Sequence, residues 1–492
     1  MATASSAPAS SAGATLRANC LNYWEVLAQS IALISPTMTA ALIVPAMFST
    51  AGNGSWLAYG FAMVMLLFVA LCLNEFAKRS TTSGSMYAYV TRGMGSVGGG
   101  LSGWCLIWAY LFIGLAGLTG FTNFAQVLMT MMGVSASIVN SLWFGLLCCG
   151  TCMGISFLLA YKDVQLSAIL MLVLEVVSIA LIVALAIIVL FHHGAPIDTP
   201  QFTLKGTTFS MIAFGVVIAI FSQVGFEAAT AFGDEAHAPL VNIPKAVIWS
   251  LLSTGLFFVF ITYTEVYGTR GDSATLDTLS APLNTLATQF HVGWLGVPVS
   301  IGAMVSFFSL NLSCLNSGAR VMFKMASHKV FHEAVGTTHA KNSTPHVAVA
   351  IMTIMMSIVI TGLFLWHNVD NDLFNYAGTF GAFGFLGAYY LVSIAAPMYL
   401  KKIGELQPKH VVISVIAVLL LTVPAVGSVY TNPPLAAPVK YFVYIFLTYF
   451  AVGLVMCLMQ RGRSSEVMES VTKDLELPAH GSAALPAEQT SA

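Results

Sequence analysis

Charge is what this sequence has least of. Only 8% of its 492 residues are Asp, Glu, Lys or Arg, against roughly a quarter in soluble globular proteins. Nineteen basic and twenty acidic residues leave a net charge of −1. That is too little cationic surface to bind a polyanion by counterion release, so no nucleic-acid partner is expected. With 57% hydrophobic residues and a mean hydropathy of +0.84, a water-soluble fold could not hide its apolar surface. The same composition excludes a disordered chain, a collagen and a disulfide scaffold. The eight cysteines lie nearly all inside apolar runs, which implies no disulfide framework. Cys149 and Cys152 form a CxxC without a second pair and read as small residues packing a helix face. Histidine is missing from membrane depth, and no nucleotide-binding motif is present. Neither a metal site, a cofactor, a membrane enzyme nor an ATP-driven pump is expected.

What the chain does have is long apolar runs. A bilayer core of about 30 Å takes about 20 apolar residues per helix. Twelve runs qualify: 22–49, 56–76, 97–130, 137–160, 164–191, 207–233, 245–268, 294–325, 346–366, 373–399, 410–429 and 438–459. Residues 1–20, rich in Ala and Ser, read as a disordered cytoplasmic tail rather than a signal peptide. Residues 461–492 read as a second cytoplasmic tail. Twelve crossings put both tails on one side. Sixteen of the nineteen basic residues then fall on that side, and only Lys205, Arg270 and Lys440 on the other. The positive-inside rule therefore supports the count and the orientation together, with both termini in the cytoplasm.

Two runs contain what a lipid-facing helix avoids. The first reads IALISPTMTAALIVP, where Pro36 removes a donor and Ser35, Thr37 and Thr39 crowd around it. The sixth reads FGVVIAIFSQVGFEAATAFGDEA, where Ser222, Gln223, Gly225 and Glu227 interrupt the apolar run. Main chain freed at membrane depth must be satisfied by protein or a wet cavity. Interrupted segments at matching positions of two halves mark the binding site of an inverted-repeat transporter. The exposed half-helix ends suit a zwitterion, N–H groups for a carboxylate and carbonyls for an ammonium.

These segments resemble the amino acid–polyamine–organocation (APC) permeases. After the second span, NEFAKRSTTSGSMYAYVTRGMG is similar to that family's acidic residue, basic cluster, Ser-Gly pair, paired aromatics and final Gly, here Glu75, Lys78, Arg79, Ser83, Gly84, Tyr87, Tyr89 and Gly95. GFEAATAFGDEAHAPLVNIPKAV carries Gly225, Phe226, Glu227, Asp234, Glu235, Asn242, Ile243, Pro244 and Lys245 in the family's order. The segment leaving the eighth span places Asn316, Arg320 and Pro345 in register. The resemblance implies an all-α LeuT-type fold of twelve helices. Its core, 21–400, pairs spans 1–5 with 6–10 as a 5+5 inverted repeat with discontinuous first and sixth helices, and 401–460 holds two peripheral helices. It also implies secondary transport of amino acids or related amines across the cytoplasmic membrane. One departure stands out: the first break, often Gly-rich in the family, is Ser35-Pro36-Thr37-Met38-Thr39 here.

Site residues follow from the breaks. Ser35, the N–H groups of Thr37, Met38 and Thr39, and the hydroxyls of the two threonines are expected at a substrate carboxylate. Carbonyls of Ile34, Phe221, Ser222 and Val224, beside Gly225, are expected at its ammonium, with Phe221 closing over the ligand. In the implied fold the third span lines the pocket, and Tyr110 is its best aromatic or else ordinary packing. Glu175 is isolated in AILMLVLEVVSIALIV, so it is protonated, paired or facing water. It reads either as a proton-coupling carboxyl or as a neutral group bonded to a neighbouring helix. Glu227 reads as a gating or structural residue at the sixth-span break. Ser309 and Ser313, at i and i+4, would suit a sodium site in the implied fold, or simply bond back to their own helix. Glu265, near the outer end of the seventh span, reads as a solvated flank. Gly93-x-Gly95-x-x-Gly98 has no strand before it and is no dinucleotide fingerprint. His328 and His332 lack further ligands and fit a solvated connector. Gly378, Gly381, Gly384 and Gly387 form a helix-packing face. The expected function is an alternating-access permease with H+ as coupling ion. An amine or polyamine carrier, an exchanger or a sodium symporter is the alternative, and a channel lacks its continuous polar pore.

Overall fold

The computed structural model describes residues 16–192, 197–270, 276–279, 281–366, 371–429, 438–459 and 466–471. Among these, regular structure is helical, and one isolated bridge, Leu21 to Ala236, is the only strand-like pairing. Eleven helical runs are long and apolar enough to cross a membrane, which makes this a multi-pass membrane protein. The first of them, Tyr23–Ala77, is 55 residues long, well over twice what one crossing takes. It is interrupted at Ser35 and again by a 3-10 turn at Gly52–Gly54.

The main helices are α1 (Tyr23–Ile34), α2 (Val44–Ala51), α3 (Ser55–Ala77), α4 (Ser85–Met131), α5 (Leu142–Lys162), α6 (Val164–His192) and α7 (Phe209–Gln223). They continue as α8 (Pro239–Gly268), α9 (Pro282–Gln289), α10 (Gly296–Ser327), α11 (His346–Trp366), α12 (Asn371–Lys402), α13 (Pro408–Gly427) and α14 (Phe442–Met459). The apolar windows of α4 and α10 are mostly buried, at 83% and 72%, whereas those of α13 and α14 are only 22% and 17% buried. The first pair forms the centre and the last pair lies at the periphery. The glycine row of α12 packs on α4 and α7, against the Ile113 side chain, the main chain of Ala109 and the Phe221 ring.

Local chemistry sets where the first helix starts. Asn22 accepts from Trp24 N–H at 2.9 Å and Glu25 N–H at 3.1 Å, while Glu25 returns a bond to Asn22 N–H at 2.7 Å. That capping box satisfies donors the helix itself cannot. Of the tail expected over 1–20, residues 1–15 lie outside the described residues. Residues 16–20 are held, with Leu16 and Cys20 buried. Main-chain pairing explains this: Cys20 and Leu21 N–H both donate to Glu235 O, at 2.8 and 3.0 Å. Of the tail expected over 461–492, only 466–471 is described. It is a helical turn with Val467 and Val471 buried.

Glu265 differs from its expected exposure. It is fully buried. The chain after α8 folds back over the helix end, where Leu276 packs with Val44 and Val266, and Leu286 lies against Gly268. No solvated flank remains.

Candidate functional site

The first break follows from Pro36. Proline disfavours helical geometry in the residue before it, and Ser35 takes φ 50, ψ 72. The helical ladder closes with Ser35 N–H on Ile31 O at 2.9 Å. Ala32 O loses its usual donor because Pro36 has none. Helix resumes over Pro36–Met38, widens into a π-helical stretch at Thr39–Ile43 and continues as α2.

The second break lies against the first. Val224 is extended at ψ 152, and Gly225 has φ +103, a conformation that side chains rarely tolerate. A Cβ on Gly225 would also sit 2.7 Å from Leu33 Cγ, two residues before Ser35. In a continuous helix Gly225 N–H would close on Phe221 O; here it donates to Tyr389 Oη at 3.2 Å. Phe221 O is thereby released. Ser30 of α1 fastens the pair, donating to Phe226 O at 2.8 Å and accepting from Ala229 N–H at 3.0 Å. The chain then runs through a 3-10 segment, Ala228–Phe232.

Glu227 heads that segment and is fully buried. Its carboxylate accepts from Tyr389 Oη of α12 at 2.6 Å and from Tyr110 Oη of α4 at 3.4 Å. The acid thus ties the break to the two helices facing it.

A second polar chain leaves the first break on its other side. Ser35 Oγ lies 3.0 Å from Ser306 Oγ of α10, and Ser306 donates to Glu175 Oε1 of α6 at 2.6 Å. With Ser306 donating there, Ser35 is the donor to Ser306. One turn along α6, Ser178 Oγ lies 2.8 Å from Thr37 Oγ1. Glu175 Oε2 is buried without a partner. Both sides of the first break therefore lead, through hydroxyls, to one helix carrying a buried acid.

Both ends of the bundle are tied. At the end bearing residues 16–22, Arg320 is fully buried and holds Glu235 through two nitrogens, one at 2.9 Å, and donates to Asn316 O at 3.0 Å. Its guanidinium stacks 4.3 Å over Phe232. Lys324 pairs with Asp234 at 2.9 Å, and Asp234 N–H donates to Ser83 Oγ at 2.8 Å. At the opposite end Arg270 pairs with Asp198 at 2.6 Å and donates to Asn53 Oδ1 at 2.6 Å.

The expected site residues divide into those that meet and those that do not. Ile34, Ser35, Thr37, Met38, Val224 and Gly225 are buried around the two breaks. Met38 N–H is engaged by Ser35 O at 3.0 Å, which leaves Thr37 N–H as the first free donor of the resumed helix. The Thr39 hydroxyl is buried without a partner. Ser222 turns its hydroxyl toward Tyr59 of α3, at 3.2 Å. Tyr110 reaches Glu227. Ser313 donates across to Gln29 O at 2.8 Å, while Ser309 bonds back to Val305 O of its own helix at 3.1 Å. Three participants carried no usable signal in the sequence: Tyr389, Ser30 and Ser306, the last being one of several serines on α10. Ser178 was findable, since it lies at i+3 from Glu175.

Phe221 rests on Gly378, with its ring where a Cβ would stand, and its centroid lies 6.2 Å from that of Phe374. Gly378→Ala would push the ring away, and over-packing of this kind costs about 1–3 kcal/mol. We expect uptake per molecule at the surface to fall by about tenfold or more on that scale, with Gly378→Ala still present in the membrane. Wild-type uptake by this variant would remove Phe221 as a closing group.

Two interrupted helices meeting at a buried polar centre, in a helical bundle tied by ion pairs at both ends, are the build of a membrane carrier. A sequence model of the amino acid permease family matches residues 21–457. The chain belongs to that family, within the APC superfamily, and is a permease rather than an enzyme. It is similar to the branched-chain amino acid permease BcaP of Bacillus subtilis, 25% identical over 370 residues, covering 73% of this chain and 76% of the relative. Cationic amino acid transporter 4 of Mus musculus is 27% identical over 335 residues, covering 63% and 50%. The low-affinity putrescine importer PlaP of Escherichia coli is 24% identical over 346 residues, covering 69% and 72%.

Proposed function

We infer that this permease carries amino acids across the cytoplasmic membrane by alternating access, driven by inward protons. The observation that carries the reading is the contact of the two breaks, Gly225 on Leu33, with Ser30 bridging them. In this reading the 55-residue first run is two crossings, which makes twelve. The first ten form the LeuT-type inverted repeat over 21–400, the last two are the peripheral helices of 401–460, and both tails are cytoplasmic. The substrate carboxylate takes Thr37 N–H and the start of the resumed helix. Its ammonium takes released carbonyls such as Phe221 O, with Ile34, Ser222 and Val224 beside it. Arg320–Glu235 closes the cytoplasmic side and Arg270–Asp198 the outer side, so the two latches open in turn. Glu175 exchanges its proton as access alternates, and the Ser306–Ser35 hydroxyls report its state to the binding centre. A diamine substrate is the second reading, favoured by the putrescine importer among the relatives.

Reconstituted protein in proteoliposomes, given a panel of labelled amino acids and diamines, tests this. A pH gradient, acid outside, should drive accumulation. Glu175→Gln, isosteric but unable to ionise, should abolish the pH-driven component and preserve exchange of substrate across the bilayer. Undiminished pH-driven accumulation in that variant would take Glu175 out of the mechanism, and no transport of any panel member would sink the reading itself.

A further inference from the structure

Glu265 of α8 is not used by anything described so far. It is fully buried, and neither carboxylate oxygen has a hydrogen-bond partner. A bare carboxylate at membrane depth costs several kcal/mol, so the position calls for a cation.

Among the described residues the neighbourhood supplies more oxygens, and its one cation, Arg270, is held elsewhere. Val266 packs on Val44 of α2, and α8 also packs on the Thr39–Ile43 stretch. One turn back along the two helices from that contact lie Thr262 and residues 39–41. The hydroxyls of Thr262 and Thr39 are both buried without partners. Two carboxylate and two hydroxyl oxygens thus lack any donor or acceptor on stretches of two helices that pack together. Tyr59 of α3 lies within electrostatic reach of Glu265 and points its own hydroxyl at Ser222, next to the second break.

Among the described residues the other charges nearby are accounted for. Arg270 is held by Asp198 and Asn53, Glu175 of α6 by Ser306, Glu25 of α1 by its own N-cap, and Glu75 of α3 by Arg79. Asp277 is exposed, and α7, α9, the Thr39–Ile43 stretch and the Ala228–Phe232 segment contain no charged residue.

We propose that Glu265, with Thr262 and Thr39, is a binding site for one monovalent cation, a proton or an alkali-metal ion, separate from Glu175. Oxygen-only ligands suit a hard ion, and the carboxylate alone suits a proton. Because Thr39 belongs to the resumed half of the interrupted first helix, the cation would hold that half against α8. The proposal rests on the carrier reading above, and the following test separates the two.

Full-length protein in proteoliposomes is given an inward H+ gradient, an inward Na+ gradient at equal pH, or no gradient with unlabelled substrate inside. The last arm needs a working carrier but no net cation flux, so its failure in wild type would count against the carrier reading alone. Wild type should respond to at least one cation gradient, and Glu265→Gln should lose that response while keeping the exchange rate. Loss confined to the pH arm identifies a proton. Loss in the sodium arm, with a melting temperature raised by NaCl over choline chloride in wild type but not in Glu265→Gln, identifies an alkali ion. Unchanged responses in the variant, or a wild type that exchanges substrate yet ignores both gradients, would overturn the proposal. Should Glu265→Gln not fold, Thr262→Val serves instead. It keeps the carboxyl and should shift the midpoint of the cation dependence, and an unshifted midpoint would equally overturn it.

Discussion

Replacing Glu227 by alanine should abolish substrate uptake while most of the protein still reaches the membrane. The carboxylate accepts from Tyr389 at 2.6 Å and Tyr110 at 3.4 Å, and Tyr389 Oη in turn receives Gly225 N–H at 3.2 Å. Truncation leaves the Tyr389 phenol buried without an acceptor, at a cost of about 1–3 kcal/mol, and strips the Tyr110 phenol of the acid, leaving it only Ser85. The helical segments on either side of the break remain packed, so the cost falls on the geometry of the break rather than on the fold. A loss of about 3 kcal/mol is more than a hundredfold in the population of the competent arrangement. The variants should rank by the bonds they remove. Tyr389→Phe removes two, and we expect uptake to fall by roughly tenfold. Tyr110→Phe removes only the longer of the acid's bonds and should cost least. Uptake relative to surface protein, measured for all three, checks the order. Normal transport by Glu227→Ala would show that the break holds itself without the acid.

How far this site could be read from the sequence depends on the range of the force involved. The two breaks were legible because Pro36 and Gly225 act on their own main chain. A missing N–H and a φ of +103 are local facts, visible wherever the residue is placed. Glu175 and Glu227 were legible because an acid in an apolar run is costly in any packing. What the acids bind was not. Whether Ser306, Ser309 or Ser313 meets another helix depends on the rotation of α10, and three serines at similar spacing carry the same pattern. Only packing decides that Ser306 reaches Glu175 while Ser309 turns back on its own helix. Tyr389, the shortest bond to Glu227, looked like any aromatic in an apolar helix. Glu265 misled for the opposite reason. Its place near a helix end suggested water, and the segment that covers it, around Leu276 and Leu286, lies in a connector whose course no periodicity reveals.

Arg320→Ala should open the end of the bundle that carries residues 16–22, and Cys20 should report it. Removing one partner of a buried ion pair costs about 3–5 kcal/mol because the other charge is left uncompensated. Here the stranded group is Glu235, whose main-chain carbonyl also holds Cys20 and Leu21 N–H. Losing the pair therefore loosens the residue beside the thiol. In the closed arrangement burial, and after it the charge of Glu235, pushes the Cys20 thiol from 9.0 up to about 12, against a smaller downward pull from Arg320. At pH 8 that leaves about a thousandth of the thiolate an ordinary cysteine would show. Loss of Arg320 without opening would therefore slow labelling rather than speed it. Opening restores both water and the ordinary value, so labelling of Cys20 by a charged maleimide should accelerate by about a hundredfold or more. The pH dependence carries the sign. In wild type the rate should keep climbing well beyond pH 9, whereas in Arg320→Ala it should level off near there. Background thiols are removed by keeping Cys20 as the sole cysteine. Lys324→Ala is the contrast, because its partner Asp234 is a third exposed at 32%. The carboxylate stranded here reaches water, which costs less than stranding a fully buried one, so labelling should rise only a few-fold. The double variant Glu235→Ala with Arg320→Ala removes both charges together and should label more slowly than Arg320→Ala alone. Equal labelling rates in wild type and Arg320→Ala would mean that this pair does not hold the end closed, and the polar ring of Ser83, Asp234 and Lys324 would have to do so without it.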